Sequence, residues 1–351
     1  MSGSDTRTAA QRRRLAALSA VAATAVAGGA FAGANSAENA RTGSGSHGER
    51  SAALASAADL DRAVGQRIIT AIDGVSPNAQ LLRLARRGRI GGVILFARNI
   101  RSVAQVRRDM RRLQAAAPHT LLITVDQEGG AVKRFRSLPP TQSPRSMTVG
   151  AAAKQGAATA TALRRAGVNV DLAPVADVTN NPRSFLYSRS HRSAAATCAF
   201  ANGLAANGVK PTLKHFPGLS GEVNTDDARV TLPRPRPSIA YKRCGGAGLV
   251  MLSNARYRSL GSRPALLERR VYTLLREMTK APTITDSIQA AALAGERHVS
   301  TRAVRAGVDF ILSTGSQRTA EEIWLGLRGG LRAREILAGA DRRAAFIRQL
   351  M

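Results

Sequence analysis

The residues best equipped for chemistry gather in KHFPGLSGEVNTDDARV, residues 214 to 230. Lys214 and His215 set a cation beside an imidazole, Pro217 and Gly218 bend the chain, and Glu222, Asp226 and Asp227 follow within a few residues. Further polar groups close short apolar runs: Asp126 and Glu128 after LLITV, Asp177 after DLAPVA, Ser253 and Asn254 after LVML, Asp286 after PTIT. A carboxylate can act as a nucleophile, or carry a proton where burial or a neighbouring acid raises its pKa. Lysine and arginine only donate hydrogen bonds, and an imidazole can do either. One acid at the end of a strand is commonly a turn former or a helix cap. Five such ends pointing to one place would be a site.

That convergence depends on the elements beneath the polar ends. Eight short runs rich in Val, Ile and Leu cover residues 67–74, 90–99, 121–130, 168–178, 209–218, 248–255, 282–287 and 308–315. They are continuous rather than alternating, as expected of strands buried on both faces. Helix-like sequence separates them, including ATALRRAGV, CAFANGLAANGV, ERRVYTLLREM and STRAVRAGV. Eight successive β-α units predict an α/β fold of the (β/α)₈ TIM-barrel type, with an open doubly wound sheet as the alternative. In a closed barrel the C-terminal strand ends meet at one mouth, and the polar ends meet with them.

The 351 residues, 44% hydrophobic, can bury a large core, and the formal charge of +29 favours polyanions in general. The arginines are spread along the chain and aromatics make up only 4%, which argues against nucleic acid as a specific partner. Residues 1–34 read as a signal peptide, with Arg12, Arg13 and Arg14 before an uncharged run from Leu15 to Ala34; an uncleaved anchor is the alternative. Residues 35–56 read as a flexible linker and 57–351 as the barrel, giving a secreted or cell-wall associated protein with no later membrane span. Cys198 and Cys244 could pair if close or remain as two buried thiols. No His, Cys and Asp cluster has metal-ligand spacing, so no metal is expected. GGAG at 245–248 reads as a helix-to-strand turn, and His47, His119 and His298 as surface residues. Arg107, Arg108, Arg111 and Arg112 are spaced to form one solvated helix face, suited to holding an exported protein on an acidic wall polymer.

The segments GGVILFARN, VDQEGGAVKRF, LAPVADV, SRS before AFANGL, GVKPTLKHFPG, VMLSNARY, TITDSIQAAAL and AVRAGVDFIL, in this order, resemble glycoside hydrolase family 3. The likeness is to its single-barrel bacterial members of the β-N-acetylglucosaminidase type. It implies a hydrolase that needs no cofactor and releases terminal β-linked sugars, N-acetylhexosamine first and glucose next, from carbohydrate that includes cell-wall glycan fragments. By the same resemblance Asp286 is the carboxylate nucleophile of a retaining mechanism. Asp126, Arg134, Arg189, Lys214 and His215 match positions that hold the hydroxyls of the terminal sugar. In the family the loop after KHFPG carries an Asp-x-His dyad whose histidine is the acid/base. Here Asp227 falls at the aspartate and Arg229 at the histidine, and a guanidinium does not exchange its proton at a working pH. The loop also reads GLS for Gly-His-Gly, Ala131 stands for an arginine, and His191 for a phenylalanine. Three readings follow: Asp227, Asp226 or Glu222 is the acid/base, hydrolysis is slow or confined to activated leaving groups, or the chain is a sugar-binding pseudoenzyme.

Overall fold

The computed structural model describes residues 56–350. The predicted signal peptide, His47 and all but the last residue of the linker lie outside the described residues. Eight parallel strands form the expected barrel: β1 (Ile68–Ala71), β2 (Gly92–Leu95), β3 (Leu122–Val125), β4 (Val170–Asp171), β5 (Lys210–Phe216), β6 (Leu249–Leu252), β7 (Thr283–Thr285) and β8 (Ile311–Ser313). Each falls inside one of the eight apolar runs. Neighbours in sequence are neighbours in the sheet, β1 pairs with β8, and an Ile284–Phe310 bridge joins β7 to β8 to close the ring.

Side chains alternate across each strand and build two cores. Ile69, Ala71, Ile94, Leu122, Val170, Leu249, Met251, Ile284 and Leu312 fill the barrel, while Ile68, Val93, Ile123 and Ile311 meet the surrounding helices. The helices start where a side chain can take up a free backbone N–H. Asn78, Ser102, Thr148, Ser193 and Ser316 each accept one at the head of a helix. The Ala-rich helices Val149–Arg165 and Ala194–Ala206 pack backbone to backbone. A Cβ on Gly156 would stand 2.3 Å from the Phe200 carbonyl oxygen, so small residues set that spacing. Cys198 of the second helix is joined by a disulfide to Cys244 of the short helix Ala240–Cys244, settling what spacing left open.

The chain ends under the barrel. Helices Ala333–Leu337 and Ala340–Arg348 cross the N-terminal strand ends, and Phe346 and Ile347 enter the interior core. Gly245–Ala247 form a single turn before β6, as expected of GGAG. His298 is exposed, but His119 is half-buried and its Nε2 meets the Ile90 carbonyl at 3.0 Å. It packs between strand and helix layers, a position that its place beside a strand did not predict.

Candidate active site

The open end of the barrel holds a cavity of about 470 Å³ lined by Asp126, Arg134, Arg189, Lys214, His215, Asp226 and Asp286, with Phe96, Met251 and Leu312 as apolar wall and floor. Six of the seven residues expected to form a site therefore line one space. The seventh, Asp227, is exposed and outside that lining.

The DQEGG segment builds one wall by doubling back. Residues Gln127–Gly129 pair antiparallel with Val132–Lys133, and positive φ at Gly129 and Gly130 makes the turn. The Gln127 side chain ties the return by donating to the Phe135 and Pro139 carbonyls and accepting from the Phe135 N–H. This brings the Arg134 guanidinium to Asp126 at 3.3 Å. Lys214 reaches in from β5 with Nζ 2.8 Å from Asp126 and 2.6 Å from Glu128. Arg189 of SRS grips Glu128 through Nε and an Nη, each 2.8 Å away.

These pairs decide the charge states. Burial works to raise the Asp126 carboxyl, yet Lys214 and Arg134 hold it down at about 2. Burial likewise opposes ionisation of Glu128, and Lys214 and Arg189 overcome it. The Lys214 ammonium is raised above its ordinary value because the two carboxylates outweigh its own burial. Asp126, Glu128 and Lys214 are ionised at neutral pH, and Asp126, Arg134, Arg189 and Lys214 line the cavity, with Glu128 buried behind them. Such a wall matches a ligand with several hydroxyl groups.

His215 is aimed by Asp177. One Asp177 oxygen accepts from the His215 backbone N–H at 2.9 Å and lies 2.8 Å from Nδ1, while the other accepts from the Leu219 N–H. A carboxylate only accepts, so Nδ1 carries the proton and Nε2 is left for the cavity. Tyr257 anchors the following bend by donating to the Gly218 carbonyl at 2.8 Å.

Across the mouth, Asp286 sits at the end of β7 with its N–H on the Leu252 carbonyl and Oδ1 accepting the Ser287 N–H at 2.7 Å. Asn254 donates to the Ser287 carbonyl, and the Ser287 hydroxyl meets that of Thr314. Burial raises the Asp286 carboxyl above the ordinary range, with the positive field of His215 acting against it and the negative charge of Asp226 adding to it.

Asp226 reaches this place because its loop is sewn to the segment after β7: Ala291 donates to the Asp226 carbonyl and Ala292 to that of Thr225. Asn224 braces the Asp226 side chain from below. The other loop acids go elsewhere. Glu222 pairs with Arg183 at 2.9 Å, and Asp227 has turned outward. Arg229, at the position of the family's histidine, donates to the Ala294 carbonyl and is not part of the lining. His191, in place of phenylalanine, is buried against Phe200 at 5.7 Å, and burial lowers its pKa to about 4, so it packs as a neutral ring.

Motif reading placed Glu128 and Asp177 at strand ends without a site role. Their residue type was the available signal, but their partners are supplied by β5 and the SRS turn, far away in sequence. Phe96 carried no signal beyond being apolar. Among the described residues no group of three or more His, Cys, Asp or Glu side chains could hold a metal ion.

An eight-stranded parallel barrel with acids facing cations at its C-terminal mouth defines the class of (β/α)₈ barrel proteins with a site at the strand ends. Residues 60–329 match the model of the glycosyl hydrolase family 3 N terminal domain. An uncharacterized secreted glycosyl hydrolase of Arthroderma benhamiae is 34% identical over 77% of this chain and 86% of its own length. A beta-hexosaminidase of Xanthomonas oryzae is 29% identical over 73% and 86%. The structure of a family 3 beta-N-acetylglucosaminidase from Paenibacillus superposes with a TM-score of 0.77 at 25% identity, over 83% of this chain and 62% of that one. The chain belongs to glycoside hydrolase family 3, whose members are glycosidases acting on O-glycosyl bonds.

Proposed function

We propose that the protein is an exported retaining glycosidase that releases terminal β-linked N-acetylhexosamine, with Asp286 as nucleophile and Asp226 as acid/base. The observation that carries this reading is that two carboxylates, Asp286 and Asp226, line the same cavity as the hydroxyl-matching residues Asp126, Arg134, Arg189, Lys214 and His215. Asp286 attacks the anomeric carbon while Asp226 gives its proton to the departing oxygen. Asp226 then takes a proton from the water that opens the glycosyl ester. Asp126, Arg134, Arg189, Lys214 and His215 hold the sugar. The choice of N-acetylhexosamine over glucose rests on the relatives named hexosaminidases.

The test is burst and steady-state release of 4-nitrophenol from the β-N-acetylglucosaminide and the β-glucoside, with Asp286→Ala as control. Release that disappears in the variant is expected. No release from either sugar, with both still bound, would mean a binding protein. For the proton carrier, Asp226→Asn should slow release of a poor leaving group such as methanol by roughly 10² to 10⁴ while sparing 4-nitrophenol, as loss of general acid help does. If Asp227→Asn has that effect instead, the acid/base role passes to Asp227.

Export follows from the leader-like residues 1–34, and retention at the wall from the basic surface of the barrel at 57–351. Among the described residues no helix is long and apolar enough to cross a membrane. Salt should release the protein from cell-wall fragments, and binding insensitive to salt would remove the electrostatic account.

A further inference from the structure

Arg134 faces two spaces. Besides the catalytic cavity it lines a second of about 390 Å³, set between the segment after β2 and the segment after the DQEGG hairpin. Arg101 and Arg136 line that second cavity too, and no acidic side chain does. Ser102 and Val103 complete the wall, so the amino end of the 14-residue helix Val103–Ala116 opens onto it. Arg101 and Arg136 are exposed, and their guanidinium groups have no hydrogen-bond or ion-pair partner among the described residues. The Arg134 Nε is buried without a hydrogen bond, although its Nη meets Asp126. Arg134 and Arg98 both lie over the Phe96 ring, 5.6 and 4.7 Å from its centroid, which sets one more guanidinium group, that of Arg98, beside Arg134.

The barrel fixes which part of a sugar reaches this place. β3, which leads into Arg134, is four strands from β7 in either direction round an eight-stranded ring, so Arg134 stands across the mouth from Asp286. A pyranose with its anomeric carbon at Asp286 therefore directs its carbons furthest from that centre toward Arg134. A group hung there would meet Arg134, the residue that also lines the second cavity. Three guanidinium groups and a helix amino terminus suit a carboxylate or phosphate, because arginine pairs with either through two parallel hydrogen bonds and the terminal N–H groups add positive potential.

We propose that the second cavity is a subsite for an anionic substituent carried on the terminal sugar itself, a carboxylate or a phosphate. This rests on the catalytic reading above, and the experiment separates the two. Values of kcat/KM would be measured for 4-nitrophenyl N-acetyl-β-glucosaminide, its 6-phosphate, its 6-carboxylate and its 3-O-carboxymethyl ether. At least one anionic sugar should exceed the neutral one by tenfold or more. That advantage should fall close to one in Arg101→Ala/Arg136→Ala, while turnover of the neutral sugar stays unchanged, and the derivative preferred identifies the anion. Equal rates for neutral and anionic sugars, or a preference that survives the double variant, would overturn the subsite and leave the glycosidase intact. Turnover of none would overturn the catalytic reading, and calorimetry would then decide the subsite. Tenfold tighter binding of N-acetylglucosamine 6-phosphate than of N-acetylglucosamine, lost in the double variant, supports it; equal binding refutes it. Inorganic phosphate that binds as tightly as the sugar phosphate would show a free-anion site and also refute it.

Discussion

The two ends of the barrel hold similar charges and use them differently. At the closed end, Asp309 accepts from the Thr283 N–H and hydroxyl, meets Arg342 through both oxygens, and has Arg276 at 3.7 Å. Arg67, wholly buried, donates to the carbonyls of Val308, Asp309, Ile336 and Ala338, and Arg343 to that of Ala338. Phe346 then packs at a tilt against Phe310, ring centroids 5.9 Å apart, and seals the floor. At the mouth, Asp126, Lys214 and Arg189 are paired as tightly, with Glu128 buried behind them, but border open volume. What distinguishes a site from a structural cluster is therefore hydrogen-bonding capacity left facing a space, not the presence of buried ions.

The sharpest way to break this comparison is to remove one acid from each end. Asp286→Ala should lower kcat for 4-nitrophenyl glycosides by about 10⁴-fold or more, as loss of a nucleophile does. Its Tm should hold or rise, because a carboxylate that burial disfavours is gone. Asp309→Ala should do the reverse. Breaking a buried, multiply bonded ion cluster costs about 3–5 kcal/mol. For a domain of this size that is a fall of roughly 10 °C in Tm, with kcat per folded molecule unchanged. Calorimetry and active-site titration of both variants would check the pair. A stable Asp309→Ala would mean that the floor is held by the apolar plug alone.

The closed end also shows what a sequence can reveal. The eight apolar runs, their order and the polar residues at five of their C-terminal ends were legible because strand burial and residue type are local properties. So were Asp126, Lys214, His215 and Asp286, as polar strand ends of a closed ring, whereas Arg134 and Arg189 came from the family resemblance alone. The orientation of the loop after KHFPG was not legible. Asp226 and Asp227 are adjacent and identical in type, and only the hydrogen bonds from Ala291 and Ala292, some 65 residues on, turn Asp226 inward. The pairing of Cys198 with Cys244 was equally hidden, since it depends on how one helix docks beside another. Arg67 and Arg343 gave no sign of being buried, as a single arginine in a basic chain looks like a solvated one.

A smaller effect sharpens the account of the mouth. Because burial and Asp226 both raise the Asp286 carboxyl, and Asp286 must be ionised to attack, kcat/KM should fall as pH drops through a limb above the ordinary carboxylate range. Removing the negative neighbour should lower that pKa. In Asp226→Asn the acid limb, followed with a 4-nitrophenyl glycoside, is expected to move to lower pH. A limb that stays in place would mean that Asp226 does not act on Asp286.

The smallest expected effect lies beneath the cavity at Asp171, the last residue of β4. Its Oδ1 accepts the Gln127 N–H at 3.0 Å, while Oδ2 is buried without a hydrogen-bond partner. Burial dominates and pushes its pKa up to about 8, against the Gln127 hydrogen bond and the field of Lys214. A folded-state value above the unfolded one favours the native state fully below the unfolded value near 3.8, and that advantage is lost as pH rises toward 8. Asp171→Asn keeps an acceptor for Gln127 and removes the titration. The variant should therefore match the wild type near pH 4 and exceed it at pH 8 by about 1 kcal/mol or more, a gain of a few degrees in Tm. Urea unfolding at the two pH values measures the difference directly. A variant weaker at both would show that Asp171 is ionised in the folded protein and belongs to the Lys214 charge network, making the mouth a cluster of three acids rather than two over a neutral base.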